Sequence, residues 1–292
     1  MTAFSPARAP ARAPARALSW VSKGFVQIVL LGIAIFWLLP TLGLFVASLR
    51  SEADNTNTGW WTVFTKPAEL TVSNYQKLLS GGGFTASFWN TIWITVPATL
   101  LVVLIASLAA YAFAWVDFPG RDWVFLVVVG LLVVPIQVAL IPVARLYGLI
   151  GIFGSIPGVV LFHVAFGLPF AIFLLRNFFM GIPRELLEAA RIDGCGDLTI
   201  FFRVVLPLGK PAIASLGIFQ FMWVWNDLLV SLVFANTDSQ PMTKALQAQM
   251  RQFGANIDVL APGAFLSLIV PLAVFFAFQR HFVQGLLAGS VK

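Results

Sequence analysis

Long apolar runs separated by short polar stretches give the first reading of this chain of 292 residues. A helix needs roughly 20 apolar residues to cross the hydrocarbon core of a bilayer. Six runs meet that length, at 25–49, 88–115, 123–147, 156–179, 212–235 and 261–283. They are continuous and do not alternate with period two, which argues for helices and against barrel strands. The expected fold class is an all-α integral membrane protein with six transmembrane helices. Pro97, Pro135, Pro142, Pro169 and Pro271 fall inside these runs, a pattern that spanning helices tolerate where neighbouring groups satisfy the freed carbonyls.

Composition supports the same class. The chain is 59% hydrophobic and 10% charged, with a mean hydropathy of +0.91, far from the quarter-charged composition of a soluble domain. The net charge of +6 marks membrane sidedness here and does not point to nucleic acid, because Lys and Arg concentrate in cytoplasmic loops. Alternate loops divide them twelve to six, with the larger share on the side of the termini, so both termini are expected in the cytoplasm. Residues 1–24 read as a disordered basic tail, since near-copies of Ala-Arg-Ala-Pro oppose a helix. The apolar run that follows is long enough to anchor, where a cleaved signal would be shorter.

Between spans, residues 50–87 form an outer loop expected to be partly irregular around Asp54 to Gly59 and Gly81 to Gly83. Trp60, Trp61, Trp89 and Trp93 crowd its ends and suit the headgroup layer. A second outer loop, 236–260, carries a helix-forming run from Met242 to Met250 behind Pro241, placed to touch an extracytoplasmic partner.

The most polar inner segment is 181–208. Pro183 starts a short helix over 184–192 that sets Leu186, Leu187 and Ala190 near one face, and Gly194 and Gly196 break it. A second short helix over 198–205 is expected to stop at Pro207. Small Ala189 and Ala190 allow close approach, and Glu188 and Arg191 offer charge pairing, as insertion into a groove on a soluble partner requires. The same pattern also suits an amphipathic connector lying on lipid.

The spacing Glu188-Ala189-Ala190, three residues, Gly194, nine residues, Val204, one residue, Leu206-Pro207 resembles the EAA loop of permease subunits of bacterial ATP-binding cassette importers. Val204 stands where that family commonly has Ile. Ile182-Pro183-Arg184-Glu185-Leu186, Ile192-Asp193-Gly194 and the end from Gln279 to Lys292 are similar to the second permease subunit of maltose-type carbohydrate importers. The resemblance implies a type I importer transmembrane domain over 88–283, with a cytoplasmic tail at 284–292. It further implies a homologous second permease subunit, two copies of a cytoplasmic ATPase subunit, an extracytoplasmic sugar-binding protein and a sugar substrate. Coupling to the ATPase would fall on Glu188, Ala189, Ala190, Arg191, Asp193, Gly194, Leu206 and Pro207.

This chain is not expected to be an enzyme or to carry a cofactor. It has no G-x-x-x-x-G-K-[ST] phosphate loop, and Gly209-Lys210 is followed by Pro211. The single Cys195 and two His supply neither a disulfide nor a zinc set. For a polar solute crossing the membrane, Gln220, Trp223, Trp225, Asn226 and Asp227 in the fifth span and Gln137 in the third offer hydrogen bonds and aromatic faces. Asp227 either lines a cavity or pairs with another polar group in the bundle. The competing class, an ion-gradient-driven transporter, needs intramembrane ionisable pairs and an inverted repeat, and neither is legible.

Overall fold

The computed structural model describes residues 13–81, 83–253 and 256–288. Among them, thirteen α-helices follow one another, and extended pairing is limited to the single bridges Arg50 to Leu70 and Gly154 to Ala235. The all-helical class expected from the apolar runs is what the chain adopts.

Helix α1, Ala13–Ser48, begins inside the segment expected to be irregular. Its only early proline, Pro14, sits in the first turn, where the missing N–H has no intrahelical partner to lose. Residues 1–12 lie outside the described set, as do 289–292. The segment over 50–87 then folds as α2, Glu52–Asn57, two 3₁₀ turns, Trp60–Phe64 and Pro67–Glu69, and α3, Ser73–Ser80. Within the stretch expected to be irregular from Asp54 to Gly59, the chain is helical as far as Asn57, and residue 82 lies outside the described set.

One buried cation organises it. Arg50 is fully buried, and its Nη2 pairs with Glu69 Oε2 at 2.8 Å and donates to Thr58 and Thr62 hydroxyls. Asn74 donates to the carbonyls of Ser48 and Arg50. Trp60 joins this cap and does not face outward: its indole nitrogen lies where a Cβ on Gly43 would fall, 2.9 Å away.

Helix α4, Gly83–Trp115, packs along α7, Ile156–Phe179, through Ala98, Val102, Ala106 and Ala110 on one side and Val159, Ala171 and Leu175 on the other. Small residues every four positions bring the two backbones close. Pro97 and Pro169 remain inside unbroken helices.

The third apolar run is not one straight span. It divides into α5, Arg121–Leu131, and α6, Ile136–Leu149, bent by 101°. Pro135 supplies the break, because it holds extended backbone, lacks an N–H and disfavours helix in the residue before it.

The segment over 181–208 forms α8, Arg184–Ile192, and α9, Asp197–Ile200, and then a π turn over Phe201–Val205 leads into α10, Leu206–Trp225. Pro207 thus does not stop the second helix, contrary to the sequence reading. The Leu206 N–H reaches five residues back to the Phe201 carbonyl. This widened turn lets the Pro207 ring clear the carbonyl four residues earlier. The run expected as a fifth span over 212–235 likewise ends at Trp225, and the chain restarts as α11, Leu229–Phe234. Helices α12, Met242–Phe253, and α13, Ile257–Ala288, complete the order.

Helix α4 fixes which surfaces share an end. Near its start, Asn90 donates to the carbonyls of Asp238 and Gln240, and Thr91 accepts the Met242 N–H at 2.9 Å. At its end, the Trp115 indole donates to the Phe179 carbonyl at 3.1 Å. From Thr91 to Trp115 the helix rises about 36 Å, so the segment before α12 and the segment around α8 lie at opposite ends of a helix as long as a bilayer's hydrocarbon core is thick.

Candidate functional site

Two places draw together residues named from the sequence: the segment around α8 and the packing between α7 and α10.

Nine residues make α8 too short to hold itself in water. Leu187, 1% exposed, roots it in the core beside Ile200 and Phe201. Leu186 points away and is exposed, so the three apolar positions expected on one face are divided between core and surface. The helix ends in a Schellman arrangement: Gly194 N–H donates to the Arg191 carbonyl and Cys195 N–H to the Ala190 carbonyl, both at 3.0 Å. Gly194 occupies the left-handed region at φ 81°, where only glycine rests without strain. Half-buried Ala190 and Cys195 close the accompanying apolar contact against the core. The glycine five residues after Ala189 is thus a helix stop whose geometry the motif spacing encodes.

Charges in this segment are partly satisfied within the chain. Glu188 Oε1 pairs with Arg184 Nε at 2.9 Å on an exposed face. Arg191 Nη2 donates to the Trp115 carbonyl at 3.1 Å and reaches Asp197 at 3.4 Å, and Tyr111 donates to the same carboxylate at 3.3 Å. These bonds strap the loop to the end of α4. Outward, the segment presents Ala189, Glu188, Asp193, Ile192 at 86% exposure and Leu198. Leu206 is half-buried and Pro207 exposed at the start of α10.

Around α10, the candidate pathway residues separate. Trp225 is buried, stacked on Phe221, and donates from Nε1 to the Ser267 carbonyl at 3.1 Å, so it joins α10 to α13. Asp227 accepts from the Val230 and Ser231 N–H groups and from the Ser231 hydroxyl, capping α11. Its Oδ2 also lies 3.6 Å from His163 Nε2 of α7. Asn226 donates to the Met222 carbonyl and borders an apolar cleft of about 550 Å³ among α1, α12 and α13. Gln137 is exposed at the start of α6 and lines neither cavity.

Gln220 and Trp223 do share a cavity, of about 320 Å³, between α7 and α10. Its other walls are Phe166, Gly167 and Phe170 from α7 and Leu216 and Phe219 from α10. Gln220 is 5% exposed and its Nε2 has no hydrogen-bond partner. The sequence reading passed over the five additional wall residues. Their signal was the paired pattern Phe166-Gly167-x-x-Phe170 and Phe219-Gln220-x-x-Trp223, which puts one small residue opposite one amide.

Residues 102–287 match the family described as binding-protein-dependent transport system inner membrane component. The osmoprotective compounds uptake permease protein GgtD of Synechocystis sp. is 50% identical over 91% of each chain. The alpha-glucoside transport system permease protein AglG of Rhizobium meliloti is 49% identical over 85% of this chain and 67% of its own. Among solved structures, a chain of a bacterial ABC transporter that imports the acidic polysaccharide alginate superposes with a TM-score of 0.79. That likeness covers 94% of this chain and all of the other, at 25% identity.

Proposed function

This chain belongs to the family of binding-protein-dependent transport system inner membrane components, and from that membership we infer that it forms one of two membrane-spanning halves of an ATP-driven sugar importer. As a permease subunit it is not itself an enzyme. Its substrate belongs to the α-glucoside class, which the name of one close relative carries. The second half is a homologous permease, two copies of an ATPase subunit lie beneath the pair, and a sugar-binding protein delivers substrate from outside.

The observation that carries this reading is the build of α8. Leu187 and the Schellman end fix it to the core, while Ala189, Glu188 and Ile192 face outward. A rigid post with an open apolar and charged tip transmits a push, whereas a lipid-lying connector needs no such anchoring. Glu188, Ala189, Ala190, Arg191, Asp193 and Gly194 carry the contact or its geometry, and Leu206 and Pro207 carry the motion into α10. Inverting a two-state gate from one side to the other takes about 5.5 kcal/mol of differential binding, which a loosely held helix would dissipate.

Both termini lie in the cytoplasm on this reading, with the bent pair α5 and α6 counted as one span of six. The folded cap and α12 then face the binding protein, since α4 separates them from α8 by a membrane thickness.

Cysteine cross-linking tests the assignment. Ala189→Cys, in a Cys195→Ala background that removes the only native thiol, is paired with a cysteine in the cleft of the ATPase. A cross-link whose yield changes with ATP is expected. An intact complex with no cross-link at any nucleotide state would return α8 to the role of a surface connector.

A further inference from the structure

We propose that the cavity between α7 and α10 is a subsite for one ring of a neutral α-glucoside in transit, with Gln220 as hydrogen-bond donor and Trp223 as stacking face. This deepens the importer reading and rests on it.

A buried donor without a partner costs about 1–3 kcal/mol. Gln220 Nε2 bears that cost 5% exposed, at the wall of a 320 Å³ cavity. A solute hydroxyl accepting from Nε2 removes the penalty. Gly167 is required by the same arrangement, because a Cβ there would meet Gln220 Nε2 at 2.8 Å and Oε1 at 2.9 Å. Any larger residue would push the amide out of place.

The remaining walls fit a sugar ring. Phe166, Phe170, Phe219 and Trp223 surround the amide with aromatic surface, against which the C–H faces of a pyranose pack while its hydroxyls seek polar groups. Trp223 is held by an edge contact to His163, with ring centroids 5.1 Å apart, so its orientation is set from behind. No lining residue carries a charge. An acidic sugar would find no cation to offset its carboxylate after leaving water, and the site therefore selects neutral solutes. The volume lies at the low end for ligand cavities and is enough for one ring.

The test uses the complete complex in proteoliposomes, with its binding protein at saturation so that capture outside the membrane stays constant. Uptake of radiolabelled trehalose and methyl α-D-glucoside is read together with ATP hydrolysis. Gln220→Leu and Trp223→Ala are each expected to lower sugar delivered per ATP by about three- to tenfold, the range for one hydrogen bond or one aromatic contact. Trp223→Phe, which keeps an aromatic face, should fall between Trp223→Ala and the unsubstituted chain. Unaltered sugar per ATP in both Gln220→Leu and Trp223→Ala overturns the subsite and leaves the importer reading standing. A parallel loss of hydrolysis and uptake in every variant, Trp223→Phe included, makes the cleft a packing element and also overturns it. Failure of the unsubstituted complex to take up either sugar overturns both.

Discussion

Replacing Gly194 separates backbone geometry from partner contact at the tip of α8. A Cβ at this position would meet nothing within 4 Å in the chain, so the internal cost of substitution is conformational and not steric. Holding alanine at φ 81° costs about 1–2 kcal/mol, which lowers the population of the capped turn roughly 5- to 30-fold. Asparagine visits this region at lower cost, and valine, branched at Cβ, at higher. Uptake by the reconstituted complex should therefore fall from glycine to Gly194→Asn, then Gly194→Ala, then Gly194→Val. Hydrogen exchange of the Cys195 amide should follow the same order, because its bond to the Ala190 carbonyl exists only while the turn is left-handed. Suppose Gly194→Asn and Gly194→Ala abolish uptake as completely as Gly194→Val while the Cys195 amide stays protected. The left-handed turn would then not be the cause, and crowding against the ATPase would take its place.

Two further outcomes follow from burial. Leu187→Ala should cost about 2–5 kcal/mol and detach α8, so that ATPase co-purification drops, whereas exposed Leu186→Ala should leave the complex assembled; equal recovery of both variants would contradict the anchoring role. In the cap over 50–80, Glu69→Ala leaves Arg50 buried without its carboxylate, a loss of about 3–5 kcal/mol. Limited proteolysis within 52–80 should rise sharply, and Arg50→Met combined with Glu69→Leu should restore most of the protection.

Hydrophobic runs and motif spacing determined a good deal without any structure. Runs longer than a bilayer's thickness force helices, because an unsatisfied backbone group in hydrocarbon is too costly for anything else. The helix over 184–192, its stop at Gly194 and the helix behind Pro241 were legible for the same local reason, since caps, prolines and glycines act on their own neighbours. What failed were effects that depend on carbonyls and side chains from elsewhere. Pro207 passes through a π turn that propensity does not encode, and Pro135 breaks its span while Pro97 and Pro169 do not. Arg50 read as a loop cation, because its partners Glu69, Thr58, Thr62 and Asn74 come together only when the cap closes on it. Asp227 and His163 are 64 residues apart in the chain and face each other only after α7 and α10 pack. Gln220 likewise became a donor with nothing to donate to only once Gly167 brought α7 against it. Local chemistry wrote most of the helices and the ends set by caps and glycines, and the tertiary fold alone decided which buried polar groups found partners and which, Gln220 among them, did not.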